Sequence, residues 1–161
     1  MQRDGCCLEV TWPYNGILDK ANIGQDPPPT GARMQALSYR ISAFNRLAPT
    51  SVTDIKSELA NGRCVSFSIP VYDTFVNNPN VLYTGDLIMP IPGEIRRGGH
   101  AMCIVGYIDL PDNPEFGGGR FIIRYSWGAT HFGVACAYGA GYGTIPYAYI
   151  AKFSTEAYSV N

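Results

Sequence analysis

Gly98-Gly99-His100-Ala101-Met102-Cys103-Ile104-Val105-Gly106-Tyr107 and, after a gap, Arg120-Phe121-Ile122-Ile123-Arg124-Tyr125-Ser126-Trp127-Gly128 set the architecture of this chain. His100 to Ile108 is almost continuously apolar, the pattern of a buried strand. Residues 109–119 hold Pro111, Pro114 and Gly117-Gly118-Gly119, which mark a loop. Beyond it Phe121 and Ile123 alternate with Arg120, Ile122 and Arg124, so a second strand folds back on the first as a hairpin partner.

The upstream sequence supplies further strands and a helix. Cys64 to Val71 alternates cleanly, with Val65, Phe67, Ile69 and Val71 on one face, and Pro70 puts the end of that strand near a sheet edge. Ser51-Val52-Thr53-Asp54 places a hydroxyl three residues before a carboxylate, as in a capping box. Val52, Ile55 and Leu59 then share one helical face until Gly62 stops the helix. Leu37, Tyr39, Ile41 and Ala43 alternate and predict a strand over 36–47. Residues 1–35, punctuated by Trp12-Pro13-Tyr14, Pro27-Pro28-Pro29 and Gly31, show no sustained period and read as a wrapped loop without a helix.

Residues 72–99 are loop-rich, with room for one short hairpin or helical turn. Residues 135–143, rich in Gly, Ala and Tyr, resemble an insertion, and 144–150 and 157–160 predict the last strands. The sum is an α+β fold: mostly antiparallel sheet or barrel, one or two short helices and long loops. The division expected is an irregular segment, 1–35, and a β-rich domain, 36–161.

Composition narrows the function. The 161 residues suffice for one substantial core. The net charge is −1 and the 12 basic residues are scattered, so the basic stripe that nucleic acid or anionic lipid would require is missing. No window reaches the ~18 apolar residues of a membrane span, and residues 1–5 lack the apolar region of a signal peptide. No compartment is indicated. The five cysteines, Cys6, Cys7, Cys64, Cys103 and Cys136, form no regular disulfide framework. Cys64 and Cys103 lie in apolar runs, where a thiol serves as a small core hydrophobe. His100 and His131 lack metal-site spacing with any cysteine, so neither a metal nor another cofactor is expected; His131 reads as ordinary surface.

The hairpin resembles the second half of a papain-like cysteine peptidase, in which one strand carries the catalytic His and the next carries Asn-Ser-Trp-Gly. Gly98-Gly99-His100-Ala101 and Val105-Gly106-Tyr107 match the His strand. Ser126-Trp127-Gly128 and Gly141-Tyr142-Gly143 match the segment after the Asn. Gly5 to Tyr14 is similar to the family segment that ends in Trp-Pro-Tyr, with the prolines at 27–29 following as in bacterial members. About nine-tenths of the chain aligns in this way with the C-terminal two-thirds of such an enzyme. The resemblance implies a papain-like barrel half, with His100 at the general-base position and Gly98, Gly99, Ala101 and Trp127 around the cleft.

Two departures accompany the match. Tyr125 stands where the family has Asn; an amide oxygen fixes the imidazole tautomer, whereas a phenol is too large for that volume and reads as a core, edge or cleft-filling aromatic. The nucleophile is expected roughly 130 residues or more before the His, which puts it upstream of Met1 together with the Gln of the oxyanion hole. Cys6 and Cys7 precede Pro13 and head no helix that would lower a thiol pKa. Cys103, three residues after His100 on a strand, points to the opposite face.

The resemblance therefore implies a pseudo-peptidase, inactive as an isolated chain, that binds a peptide or protein or serves a structural role. The alternative is the C-terminal part of an active thiol peptidase whose cysteine helix comes from another segment or chain. In either case the face around His100, Tyr125 and Trp127 is expected to take a partner: the missing-half polypeptide or a second copy of this chain.

Overall fold

The structure, a computed structural model, describes residues 2–13 and 27–160. Met1, Asn161 and residues 14–26, which include Tyr14 and part of the segment predicted to be irregular, lie outside the described residues. The chain divides into two compact units, residues 1–44 and 45–160.

In the first unit the Cys6 N–H donates to the Tyr39 carbonyl at 3.2 Å and the Leu8 N–H to Gln35 Oε1 at 2.9 Å. Helix α1, Thr30–Ala36, occupies part of the segment predicted to contain no helix. The proline run is compatible with it, because Pro29 is extended and sits at the N-cap, where a missing N–H costs nothing. Ala32 and Ala36, one turn apart, are the buried side chains of α1. The strand predicted over 36–47 shrinks to β1, Phe44–Arg46. Leu37 and Tyr39 are exposed in turns instead, since alternation makes a strand only where another strand pairs with it.

The second unit is a six-stranded sheet with short helices. Helix α2, Val52–Ala60, starts where the sequence predicts: Ser51 Oγ accepts the Asp54 N–H at 3.2 Å. Strand β2, Val65–Tyr72, buries Val65, Phe67, Ile69 and Val71. Two short helices follow in the loop-rich region, α3, Asp73–Val76, and α4, Pro79–Thr84. Strand β3, Arg96–Asp109, is longer than the apolar run that announced it, and β4 spans Gly119–Arg124.

Strand β5, Tyr142–Pro146, is shorter than expected, because the chain turns into helix α5, Tyr147–Phe153, where a strand was predicted through Ile150. Pro146 ends the strand and caps the helix. The apolar run of α5 buries Tyr147, Tyr149 and Ile150, a pattern a strand shares. Strand β6, Glu156–Val160, completes the order β1-β6-β2-β3-β4-β5.

The pairs formed by β2, β3, β4, β5 and β6 are antiparallel. Strand β6 covers only Val65 to Ser68 of β2, so at Pro70 the strand has run past that neighbour and its missing N–H leaves no ladder bond unmade. The core packs on one face of the sheet around Ile55, Phe67, Ile69, Ile104, Phe121, Ile123, Ile145, Tyr149 and Ile150. Each such side chain contributes roughly 1.5–3 kcal/mol by leaving water.

One cation is buried in this unit. Arg120 donates through Nε to Thr144 Oγ1 at 2.7 Å and through a terminal nitrogen to the Leu87 carbonyl, and its guanidinium lies 4.7 Å from the centre of the Phe116 ring. Asp86 accepts from Thr144 Oγ1 at 2.7 Å and offsets part of the desolvation cost.

Cys64 and Cys103 depart from the core role predicted for them. Cys64 is exposed just before β2, and Cys103 is half-buried on the face of β3 opposite Met102 and Ile104. Both runs are apolar enough to read as buried on two faces, but helices cover the sheet's inner face and these thiols are on the other.

Candidate functional site

His100 is fixed by register. Ile69 is opposite His100 and Phe67 opposite Met102, so the imidazole shares the core-facing side of β3 with Met102 and Ile104. Pairing of β3 with β4 begins only at Cys103 opposite Arg124. His100 therefore lies beyond the end of β4, where the chain has already turned into Tyr125, Ser126 and Trp127.

Tyr125 is held at that point by its N–H, which donates to the Gly141 carbonyl at 3.1 Å. Its ring turns inward and is 4% exposed. It stacks on Phe132 with centroids 4.4 Å apart and 26° between planes, and meets the edge of Phe75 at 5.8 Å. The His100 ring lies 4.8 Å from Tyr125 at 41°, and Trp127 stands 4.8 Å from Tyr125 and 6.4 Å from His100. Trp127 remains 44% exposed, forming the outer wall of the cluster.

The chemistry follows from what surrounds the imidazole. His100 Nε2 is buried and has no hydrogen-bond partner among the described residues. Burial alone displaces the His100 pKa, downward, so the neutral ring is favoured and no charged neighbour supports an imidazolium. The Tyr125 phenol is pushed above its ordinary value by burial and is neutral too, so it offers no anionic partner to the ring. With Nε2 unpartnered among the described residues and only a neutral phenol beside it, the imidazole has no acceptor at that nitrogen and no counter-charge to hold a proton.

The other predicted residues are distributed as follows. Gly98 is opposite Val71 and on the His100 side of β3, whereas Gly99, opposite Pro70, and Ala101, opposite Ser68, alternate to the other side. Cys103 is also on that other side, and burial together with the nearby Cys64 pushes its thiol up to about 11. Cys6 is exposed and Cys7 half-buried in a non-helical stretch of the first unit. His131 is exposed and its Nδ1 is 2.8 Å from Thr130 Oγ1.

Phe75 and Phe132, which clamp Tyr125, carried no signal in the sequence: one is on a single-turn helix and the other in a glycine-rich loop. A cavity of about 610 Å3 in the first unit, lined by residues such as Cys7, Trp12, Ala32 and Leu37, contains none of the His100 cluster. It is an apolar cavity with no histidine in its lining, so the imidazole cluster is the better candidate site. Among the described residues no three His, Cys, Asp or Glu side chains are grouped to hold a metal ion, and no helix is long and apolar enough to cross a membrane.

Comparison with solved structures places this geometry. Xylellain, a cysteine protease from Xylella fastidiosa, superposes on 99% of the chain with a TM-score of 0.76 and 25% identity. The fold is that of the papain-like cysteine peptidases. A digestive procathepsin from the larval midgut of Tenebrio molitor shares the papain-like fold over 99% of the chain, with a TM-score of 0.61 and 19% identity. In sequence, a peptidase C1-like protein of Acanthamoeba polyphaga mimivirus is 29% identical over 154 residues, or 91% of the chain. No protein-family profile matches.

The chain spans only part of these papain-like relatives: 57% of xylellain, 44% of the procathepsin and 43% of the viral protein.

Proposed function

We propose that this chain is a papain-like domain that has lost peptide-bond cleavage and serves as a peptide- or protein-binding or structural module. The observation that supports the reading is the pairing of Tyr125 with His100, whose rings are 4.8 Å apart while the buried Nε2 has no partner among the described residues; on this reading Tyr125 stands in place of the family Asn. Thiol catalysis requires the imidazole to store the proton of the sulfur, and burial without an acceptor opposes that charge. The exposed Trp127, backed by the Tyr125 ring, supplies an aromatic contact surface of the kind that anchors interfaces. Its partner is a peptide or protein segment, either the other half of a papain-like pair or a second copy of this chain.

A second reading has its own support. The chain matches 57% of xylellain, so a cysteine helix supplied by another segment or another chain would complete an active thiol peptidase around His100. Adding a papain-type cysteine-helix segment, fused or in trans, and probing with an epoxide directed at papain-like thiols separates the two. Under the first reading the complemented chain stays unlabelled and does not cleave peptides, and Tyr125→Asn in the same complex gains labelling. Labelling and turnover with Tyr125 intact establish the second.

A further inference from the structure

On the outer face of the sheet, away from His100, two thiols lie near each other, Cys103 on β3 and Cys64 just before β2. Ser66 is opposite Cys103 and Val65, the first residue of β2, is opposite Ile104, so Cys64, one residue ahead of the ladder and two before Ser66, falls near the diagonal position to Cys103. Burial and, after it, the nearby Cys64 raise the Cys103 pKa. Cys64 is exposed, Cys103 is half-buried, and both are free. We propose that Cys64 and Cys103 form a redox pair that a hydroperoxide closes to an intramolecular disulfide.

Exposure assigns the roles. Cys64 meets the oxidant: its sulfur attacks the peroxide, the O–O bond breaks, and Cys64 becomes a sulfenic acid as one water, or alcohol from an organic peroxide, departs. Cys103 then attacks the Cys64 sulfur, the S–O bond breaks, and its thiol proton leaves with the hydroxyl as a second water. Two thiols are oxidised and one peroxide is reduced. The second step is the slower one, because the half-buried Cys103 thiol ionises only at about 11. Arg124, opposite Cys103 on β4, does not ease it: the guanidinium is engaged 4.5 Å from the centre of the Tyr142 ring and donates to the Ala140 carbonyl at 3.3 Å.

The geometry makes the bond reversible. Diagonal residues of an antiparallel pair have Cα atoms roughly 7–8 Å apart, above the spacing a relaxed disulfide prefers. Closure therefore pulls β2 and β3 together and leaves a bond that reduces readily, the property of regulatory rather than structural disulfides. It also links the two strands whose pairing positions His100.

Treatment of the whole chain with hydrogen peroxide, followed by alkylation and peptide mapping, tests the pair. The expected dominant product joins the peptides of Cys64 and Cys103, with loss of two hydrogens and full recovery on reduction. Because closure strains β2 and β3, the oxidised protein gains little thermal stability over the reduced one. In Cys64→Ser, peroxide consumption of the Cys103 thiol falls at least tenfold. In Cys103→Ser, Cys64 accumulates as a sulfenic acid that dimedone traps. Cys64 oxidising in the wild type with Cys103 left free, or joining Cys6, Cys7 or Cys136 instead, overturns the proposal. Because the readout is disulfide mapping and not cleavage, its failure leaves the reading of the His100 site untouched.

Discussion

The ring of Tyr125 lies 4.8 Å from that of His100, yet the buried Nε2 of the imidazole receives nothing from it. Tyr125 acts as part of the core and not as a polar partner, stacking on Phe132 and meeting Phe75 edge-on. The contacts of the Tyr125 ring are those of a packing residue.

Replacement of that ring separates the two roles. Tyr125→Phe keeps each aromatic contact and should cost less than about 1 kcal/mol. Tyr125→Asn empties an aromatic site and should cost about 3–5 kcal/mol, while offering His100 an amide oxygen. Urea unfolding measures the first effect, and imidazole proton NMR of the Asn variant reads the second as a slowed ring N–H exchange. Equal stability of the two variants would contradict the packing role.

Stability should fall in mildly acid solution through His100. An unfolded histidine titrates near about 6.5, and burial lowers the folded value beneath that. The unfolded chain therefore takes up the proton first. The contribution is complete above the unfolded value and is lost as pH falls from there through the folded value. The carboxylates with depressed pKa, such as Asp73, paired with Arg97, and Glu58, held down to about 2 by Arg63, titrate below this window. Melting curves between neutral pH and pH 5 should show a slope that His100→Phe diminishes; an unchanged slope would count against a buried neutral imidazole.

Arg120 should be among the most sensitive of the buried polar residues. Arg120→Ala leaves the Leu87 carbonyl and Thr144 without their donor, a loss of about 3 kcal/mol or more. Arg120→Met, which keeps volume and removes the charge, should recover part of it. Chemical denaturation of the two variants gives the difference directly.

Two glycines beside the site make a matched pair. A Cβ on Gly143 would fall 2.3 Å from the Gly85 carbonyl oxygen and 2.7 Å from the Phe132 ring, whereas one on Gly98 meets nothing within 4 Å. Gly143→Ala should therefore displace Phe132 and cost more than about 2 kcal/mol. Gly98→Ala should change stability by less than about 1 kcal/mol. Thermal melts of both, with tryptophan fluorescence of Trp127 as a local reporter, check the contrast.

Local chemistry explains which parts of this structure were legible in advance. Ser51 and Asp54 announce α2 because the cap is a local hydrogen bond, and the alternation of Val65 to Val71 announces β2 because one of its faces is buried. His100 and Tyr125 were singled out by the resemblance of their flanking motifs, and the structure brings their rings within 4.8 Å. The failures share a cause, since burial is decided by neighbours remote in sequence. Among the described residues the alternating stretch at 37–43 has no partner strand, the run of α5 buries like a strand, and Cys64 and Cys103 lie away from the sheet face that carries the core. Phe75 and Phe132 meet Tyr125 only through tertiary packing, which no local pattern encodes.

The order β1-β6-β2 carries a consequence for biosynthesis. Strand β2 emerges from the ribosome long before β6, the strand that closes its outer margin. In the interval a nascent chain presents Val65 and Phe67 on an open ladder, the state in which a strand most readily joins the wrong neighbour. Folding of this sheet is thus settled late, and a chaperone or slow translation across residues 72–155 would protect the same edge that β6 finally covers.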